Sequence, residues 1–398
     1  MNRSFWIIAL ISFVNSLSLT ILIPTIYLYG KQFGLNDFQT SLLFSIYSVS
    51  QFIATPIIGK LSDRFGRKPL LIISLAGTVG ASLMAGMANT ATILFIARFL
   101  DGITGGNNSV AQAVISDITD RENRAKGFGI FGATFGLGLV LGPAISLLAQ
   151  HISLGASFIA SGIIALIALL ITIFFLPETL KNRANKAHNI FDLGLGNLIK
   201  GLFIPRIGIL FIINFLIGTT FTIFTYAFQP YFINVLHQDS KSLTILFIVF
   251  GLLGLVMQVW GIPILIRKFD LVFILFVALF IRSLSFIFMP ILPIVSYFFA
   301  VSILFSIFNA LVQPTITTLL SLNAKPEEQG TVMGINSSYL SVSNAFGPVI
   351  AGTLIHQSDP TTYGHPLYLA GGLTFLVLLL AMFTRRKYVV KVKPNPQP

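Results

Sequence analysis

Apolar residues in this chain come in long blocks, separated by short stretches that hold nearly all the charge. A spanning helix needs about 20 predominantly apolar residues. On that window the chain divides into twelve runs, at residues 5–28, 38–60, 69–88, 91–114, 127–149, 155–176, 207–234, 241–266, 271–290, 293–319, 331–355 and 365–384. Runs this long and this evenly apolar predict an all-α polytopic membrane protein with twelve transmembrane helices. The opening Met1-Asn2-Arg3 looks like the charged start of a secretory signal. The apolar run behind it is long, however, and ends in no small-residue cleavage site, so an uncleaved first span is expected.

The basic residues test the count of twelve. With a cytoplasmic N-terminus, 21 of the 25 lysines and arginines fall on that side: Arg3, the loops at 60–68, 121–126, 181–206, 267–268 and 325, and the tail from Arg385. Lys31 and Lys241 lie opposite, and Arg98 and Arg282 fall inside spans. A missed or invented helix would scramble this segregation, so both termini are expected in the cytoplasm of a bacterial-type inner membrane. Composition agrees with the pattern. Only 10% of residues are charged, against roughly a quarter in a soluble domain. The net charge of +12 is accounted for by topology, which removes any reason to expect nucleic acid. With no cysteine, disulfides, iron-sulfur clusters and thiolate zinc sites are excluded.

A linker at 177–206 separates two halves, 1–176 and 207–384, and a tail at 385–398, ending in Lys393-Pro394-Asn395-Pro396-Gln397-Pro398, has nothing to bury. Adding 205 carries Ser116, Glu122, Gly129, Ile130, Gly142 and Pro143 onto Ser321, Glu327, Gly334, Ile335, Gly347 and Pro348. Six helices per half, each half starting on the same side, mean a parallel repeat about an axis along the membrane normal.

The loop after the second run reads Gly59-Lys60-Leu61-Ser62-Asp63-Arg64-Phe65-Gly66-Arg67-Lys68-Pro69. By itself it could be a positive-inside loop with turn glycines. At every defined position, though, it matches GxLxDRxGRxP, the signature loop of the major facilitator superfamily. Further segments resemble the drug:proton antiporter branch and its tetracycline-efflux members: Arg98-Phe99-Leu100-Asp101-Gly102-Ile103-Thr104-Gly105-Gly106, Ile115-Ser116-Asp117-Ile118-Thr119-Asp120, Gly138-Leu139-Val140-Leu141-Gly142-Pro143, and Ile21-Leu22-Ile23-Pro24. The resemblance implies two six-helix halves working by alternating access. It also implies a latch in which Asp63, with Gly59, Arg64 and Gly66 around it, faces the N-terminus of the eleventh helix while Arg67 pairs with Asp117. A carboxylate near a helix N-terminus is favourable by about 0.3–1 kcal/mol.

Gly138 and Gly142 share a helix face and permit close backbone approach, while Pro143 interrupts the ladder; Gly347 and Pro348 repeat the feature. The alternatives are generic helix packing and a hinge pair, which the resemblance to the exporters' antiporter motif favours, although Ser146 and Leu147 replace its closing glycines. Arg98 and Asp101 are three apart, hence neighbours on one helix face, and Asp101 is the single acidic residue inside any run. Intramembrane charges cost several kcal/mol and usually face the bundle interior or an aqueous cavity. The pair is either a self-satisfying structural unit or the proton-coupling site, since burial raises a carboxyl pKa and a nearby arginine lowers it. The resemblance implies a proton-transfer role for Arg98; the role of Asp101 follows from its placement alone. Tetracycline exporters carry carboxylates in helices 1 and 3, whereas this chain offers Asn15, Ser16, Ser18, Thr20 and Ser74, Thr78, Ser82, which argues against metal-chelated tetracycline as cargo. Arg282 either snorkels or attracts an anionic group.

A substrate cavity is expected between the halves. Its candidate polar residues are Asn15, Gln51, Asn107, Asn214, Tyr226, Gln229, Gln258, Trp260, Asn309, Gln313 and Asn336, each of which could instead serve an interhelical hydrogen bond. No enzyme is expected: the histidines lack metal-ligand spacing, and GxSxG, P-loop and HExxH motifs are missing. With no cofactor, the proton gradient is the expected energy source, for a monomer exporting small lipophilic compounds. Import of a sugar, siderophore or other metabolite, and a non-transporting receptor or scaffold, remain alternatives.

Overall fold

The structure, a computed structural model, describes residues 3–118, 121–180, 195–325 and 328–388. Lys181, Arg183 and Lys186 of the linker, Asp120, Glu327 and the tail from residue 389 lie outside the described residues, as do the side chains of the fifth span before Thr134. In the first half, α1 (Arg3–Leu22) and α2 (Ile26–Gln32) form the first span. α3 (Asp37–Phe65) and α4 (Arg67–Gly86) follow, then α5 (Ala91–Thr104) with α6 (Asn107–Ile118), α7 (Arg121–Gln150) and α8 (Leu154–Phe175). A short helix, α9 (Leu195–Leu202), leads into the second half. That half comprises α10 (Ile207–Asn234), α11 (Ser240–Val256) with a π-turn (Met257–Gly261) and α12 (Ile262–Lys268), then α13 (Leu271–Phe288), α14 (Val295–Asn323), α15 (Gln329–Thr353) and α16 (His365–Tyr388). Nine helical stretches among the described residues are long and apolar enough by themselves to cross a bilayer, and the α5–α6 pair, α7 and α15 complete twelve.

Two spans predicted as continuous are broken. Pro24 has no N–H to continue the ladder, so α1 ends in a tight turn with Thr25 N–H on the Leu22 carbonyl at 3.0 Å. The fourth span breaks at Gly105-Gly106, two poor helix formers in succession, and the Gly105 carbonyl so freed accepts from the Gln51 amide at 3.0 Å. α7 and α15 remain helical through Pro143 and Pro348.

Each half has an apolar core of its own, built around Leu71, Leu75 and Val114 in the first and Phe211, Leu275 and Ile316 in the second. Phe174 and Phe383 are 73% and 85% exposed, a surface that water would penalise and lipid covers. The duplication is visible in packing. Thr20 of α1 donates to the Gly138 carbonyl at 2.7 Å and sits over Gly142; Thr222 of α10 donates to the Ser343 carbonyl at 3.0 Å and sits over Gly347. Both halves thus use the same helix pair and the same glycine notch.

α1 begins and α16 finishes at one end of the bundle, the terminal end. At the opposite end the halves are in contact: Gln150 of α7 donates to Thr244 of α11 at 3.0 Å and bonds Ser240.

Candidate functional site

The fourth span is held against α3 by missing side chains. Any Cβ on Gly102 would stand about 2.5 Å from the Tyr47 carbonyl, so glycine lets the two backbones touch. One turn earlier, Arg98 and Asp101 meet with Nη1 to Oδ2 at 3.0 Å, and both are buried. The Arg98 guanidinium lies 4.3 Å over the Tyr47 ring, and its Nε reaches toward the Leu43 carbonyl at 3.5 Å. Gln51 donates to the Tyr47 hydroxyl at 3.0 Å and closes the network onto the helix break. On the other side, Leu22, Ala81, Ser82, Ala85, Ala97 and Phe158 enclose a void beside the pair too narrow for water. The pair is therefore dry and held by one carboxylate: a proton on Asp101 would dissolve the ion pair and leave Arg98 to Tyr47 and the backbone.

The second cluster lies at the terminal end. Gly66 has φ of +113°, which strains any other residue, and the Glu178 carboxylate occupies the space a side chain there would need. Arg67 pairs with Asp117 at 3.0 Å and with Asp63 at 2.6 Å, and donates to Ser62 at 2.7 Å. Asp63 is thereby bound within its own half, to Arg67. Arg64 is exposed against Phe65, and nothing packs within 4 Å of where a Gly59 side chain would begin.

Sequence reasoning missed Glu178. It accepts the N–H groups of Arg67 and Lys68, which open α4, at 3.0 and 3.2 Å, and those of Thr179 and Leu180 at 2.9 Å. Burial pushes its carboxyl up, but these backbone hydrogen bonds outweigh burial and hold it below the ordinary carboxylate range. The available signal was a lone carboxylate directly after a span, at Pro177-Glu178; its partner helix is remote in sequence.

Gly138 and Gly142 pack on Ser16 and on Thr20 with Ile21, and Gly347 on Thr222 with Ile223, all inside their own halves. Pro143 nonetheless touches the contact between halves. Its missing N–H frees the Leu139 carbonyl, and Gly251 of α11 packs there so closely that a Cβ would lie 2.6 Å from that oxygen.

Most candidate cavity residues serve interhelical bonds. Asn107 donates to Asn15 at 2.8 Å, Asn214 to Asn336 at 2.6 Å and Tyr226 to the Asp37 carbonyl, whereas Gln229 bonds within its own helix, to the Thr225 carbonyl at 3.3 Å. Gln313 is exposed, reaching Thr317 at 3.4 Å, and Asn309 is half-buried. Gln258 and Trp260 are exposed on the π-turn, with the Gln258 amide against Gly136 of the first half. π-turns recur at functional sites. Arg282 does not snorkel: it is fully buried over Phe286 and donates to the Ile217 carbonyl and the Thr220 hydroxyl, both at 2.9 Å.

A family model described as Major Facilitator Superfamily matches residues 8–348 and 210–398. The class B tetracycline resistance protein of Escherichia coli is 27% identical over 394 residues, 96% of each chain. The quinolone resistance protein NorA of Staphylococcus aureus is 24% identical over 384 residues, 95% of this chain and 97% of that one. Among solved structures, the human organic anion transporter MFSD10 (TETRAN) superposes with a TM-score of 0.72 at 20% identity, over 96% of this chain and all of that one.

Proposed function

The chain belongs to the major facilitator superfamily, and from that premise we propose that it exports small lipophilic compounds in exchange for protons. It is a multi-pass membrane transporter, not an enzyme. The observation that carries the proposal is the dry Arg98–Asp101 pair in the broken fourth span. Asp101 takes the proton, and Arg98, kept in place by Tyr47 and the Leu43 carbonyl, senses the change. The names of its relatives, resistance proteins for tetracycline and for quinolones, support a drug-like cargo. Uncharged residues such as Asn15, Ser74 and Thr78 in the first and third spans favour one that brings no metal ion.

Both termini are cytoplasmic in this reading, from the distribution of lysine and arginine. The contacts of Gln150 with Thr244 and of Asp37 with Tyr363, at the end opposite the termini, support reading this as the state closed toward the outside, with Arg67 holding Asp63 at the other end. Making the latch between Asp63 and the start of α15 accompanies the swing that carries cargo outward. The protein works as a monomer without a cofactor, driven by about 2.3 kcal/mol per charge per 100 mV and about 1.36 kcal/mol per pH unit. The test is made in sealed proteoliposomes with an imposed pH gradient, monitoring lumen pH as lipophilic drugs, sugars and siderophores are added. Gradient dissipation by one lipophilic class, present in the native protein and lost in Asp101→Asn, supports the proposal. Dissipation that survives the substitution removes Asp101 from the coupling, and no dissipation by any compound removes proton exchange with these compounds.

A further inference from the structure

Asp37 opens α3 at the end opposite the termini, where a surface charge is the ordinary expectation. It is instead only 2% exposed. Its carboxylate accepts from Tyr27 of its own half at 2.6 Å and from Tyr363 of the other half at 3.2 Å, and pairs with Lys31 at 2.8 Å. Its backbone carbonyl accepts the hydroxyl of Tyr226, which α10 brings from the other half. Asn234, also from α10, donates to the Tyr27 hydroxyl at 3.0 Å. One turn on, Gly352 of α15 packs so tightly on Ser41 and Phe38 that any side chain there would collide.

Three features make this more than a buried pair. First, every donor on the far side, Tyr226, Tyr363 and Asn234, belongs to the second half, so the bonds exist only while the halves are together. Second, the apolar packing that Tyr27 and Phe44 make with the second half stops short of the rim, where a cleft of about 600 Å³ opens beside Asp37, lined by Phe38, Gly352 and Ser358. Third, the contribution is specific to one state. When the halves part at this end, Asp37 exchanges Tyr363 and Tyr226 for water while Tyr27 and Lys31 of its own half stay with it, so the two bonds across the halves count toward closure.

We propose that Asp37 is the clamp of the gate at this end, the residue whose bonds to Tyr363 and Tyr226 set how much of the time the protein stays closed there. The inference rests on alternating access between the two halves, but not on the identity of the cargo or on proton coupling. It separates the gate from Asp101: one carboxylate answers to the driving ion, the other holds the resting state.

The absence of cysteine makes a direct test available. Spin labels on Gln32→Cys and Ser358→Cys, exposed positions of opposite halves at this end, report the opening as a distance distribution in nanodiscs, with no substrate or gradient present. Asp37→Ala is expected to raise the open-to-closed ratio by about tenfold or more, since Tyr363 loses its acceptor and Lys31 is left without its counter-charge in the closed state. Tyr363→Phe, which removes one hydroxyl and keeps the ring, is expected to raise it by about two- to tenfold. A folded Tyr363→Phe protein with an unchanged distribution overturns the clamp, whatever Asp37→Ala does. Because the readout involves neither drug nor a proton gradient, that failure leaves the export reading untouched, and failure of the proteoliposome test leaves the clamp untouched.

Discussion

The Arg98–Asp101 pair makes a prediction that separates its energetic role from its chemical one. In Asp101→Asn the carboxylate is gone while Arg98 remains buried, with the ring of Tyr47 at 4.3 Å and a distant carbonyl as its company. Breaking a buried pair from one side costs about 3–5 kcal/mol; the cation–π contact is present before and after the substitution and cancels. The expected loss is therefore about 3–5 kcal/mol, read as a lowered thermal unfolding midpoint in detergent. The double variant Arg98→Met with Asp101→Leu removes both charges at similar volume, and such replacements are neutral or stabilising by about 1–4 kcal/mol. Its midpoint is therefore expected at or above that of the native protein. Transport driven by a pH gradient is expected to vanish in both variants, whereas cargo exchange without a gradient persists in Asp101→Asn. Stability and coupling thus move in opposite directions in the double variant. A double variant less stable than either single one would refute the energetic reasoning, and gradient-driven transport in the double variant would refute the chemical one.

Four further outcomes are expected. Gly142→Leu and Gly347→Leu should each lower the unfolding midpoint, because a side chain at either position meets the Thr20 or Thr222 region and the backbone behind it, overpacking that costs about 1–3 kcal/mol. Gly251→Val should push α11 away from the Leu139 carbonyl, and a spin-label pair across α7 and α11 should report a longer distance. Glu178 is depressed in the fold, so its stabilisation is complete above the ordinary carboxylate range and is lost as pH falls through and below about 4.3. A midpoint-versus-pH curve for Glu178→Gln should accordingly lack that acid-side loss, and identical curves for both proteins would count against the cap on α4. Arg282→Met should keep or raise the midpoint, since among the described residues no carboxylate pairs with Arg282 and a buried charge in lipid is costly. A fall would mean that its bonds to Ile217 and Thr220 outweigh that cost.

Membership and span count were legible in the sequence because each depends on local order, apolar run length, loop charge and a signature of contiguous residues; the pairing of Arg67 with Asp117, 50 residues apart, was expected only through the family resemblance. Arg98 and Asp101 were legible from local order as well, being one helical turn apart. The broken fourth span was readable in principle, since Gly105-Gly106 is a plain signal, but the Gln51 amide that makes the break tolerable comes from another helix. Glu178 and Asp37 escaped because each looks like a loop charge at the end of a run. What distinguishes them is partners 110 and more residues away, the Lys68 backbone for one and Tyr363 for the other.

The sequence by itself thus determined that this chain crosses a membrane twelve times in two related halves, because the free energy of placing apolar runs in lipid and lysines outside it is large and local. Only the tertiary structure decided which polar groups are spent. Asn15, Asn107, Asn214 and Asn336 are consumed in bonds between helices, while Gln258 stays exposed on its π-turn. A hydrogen bond across a bundle depends on which helix faces meet, and no pattern along one chain specifies that until the helices have packed.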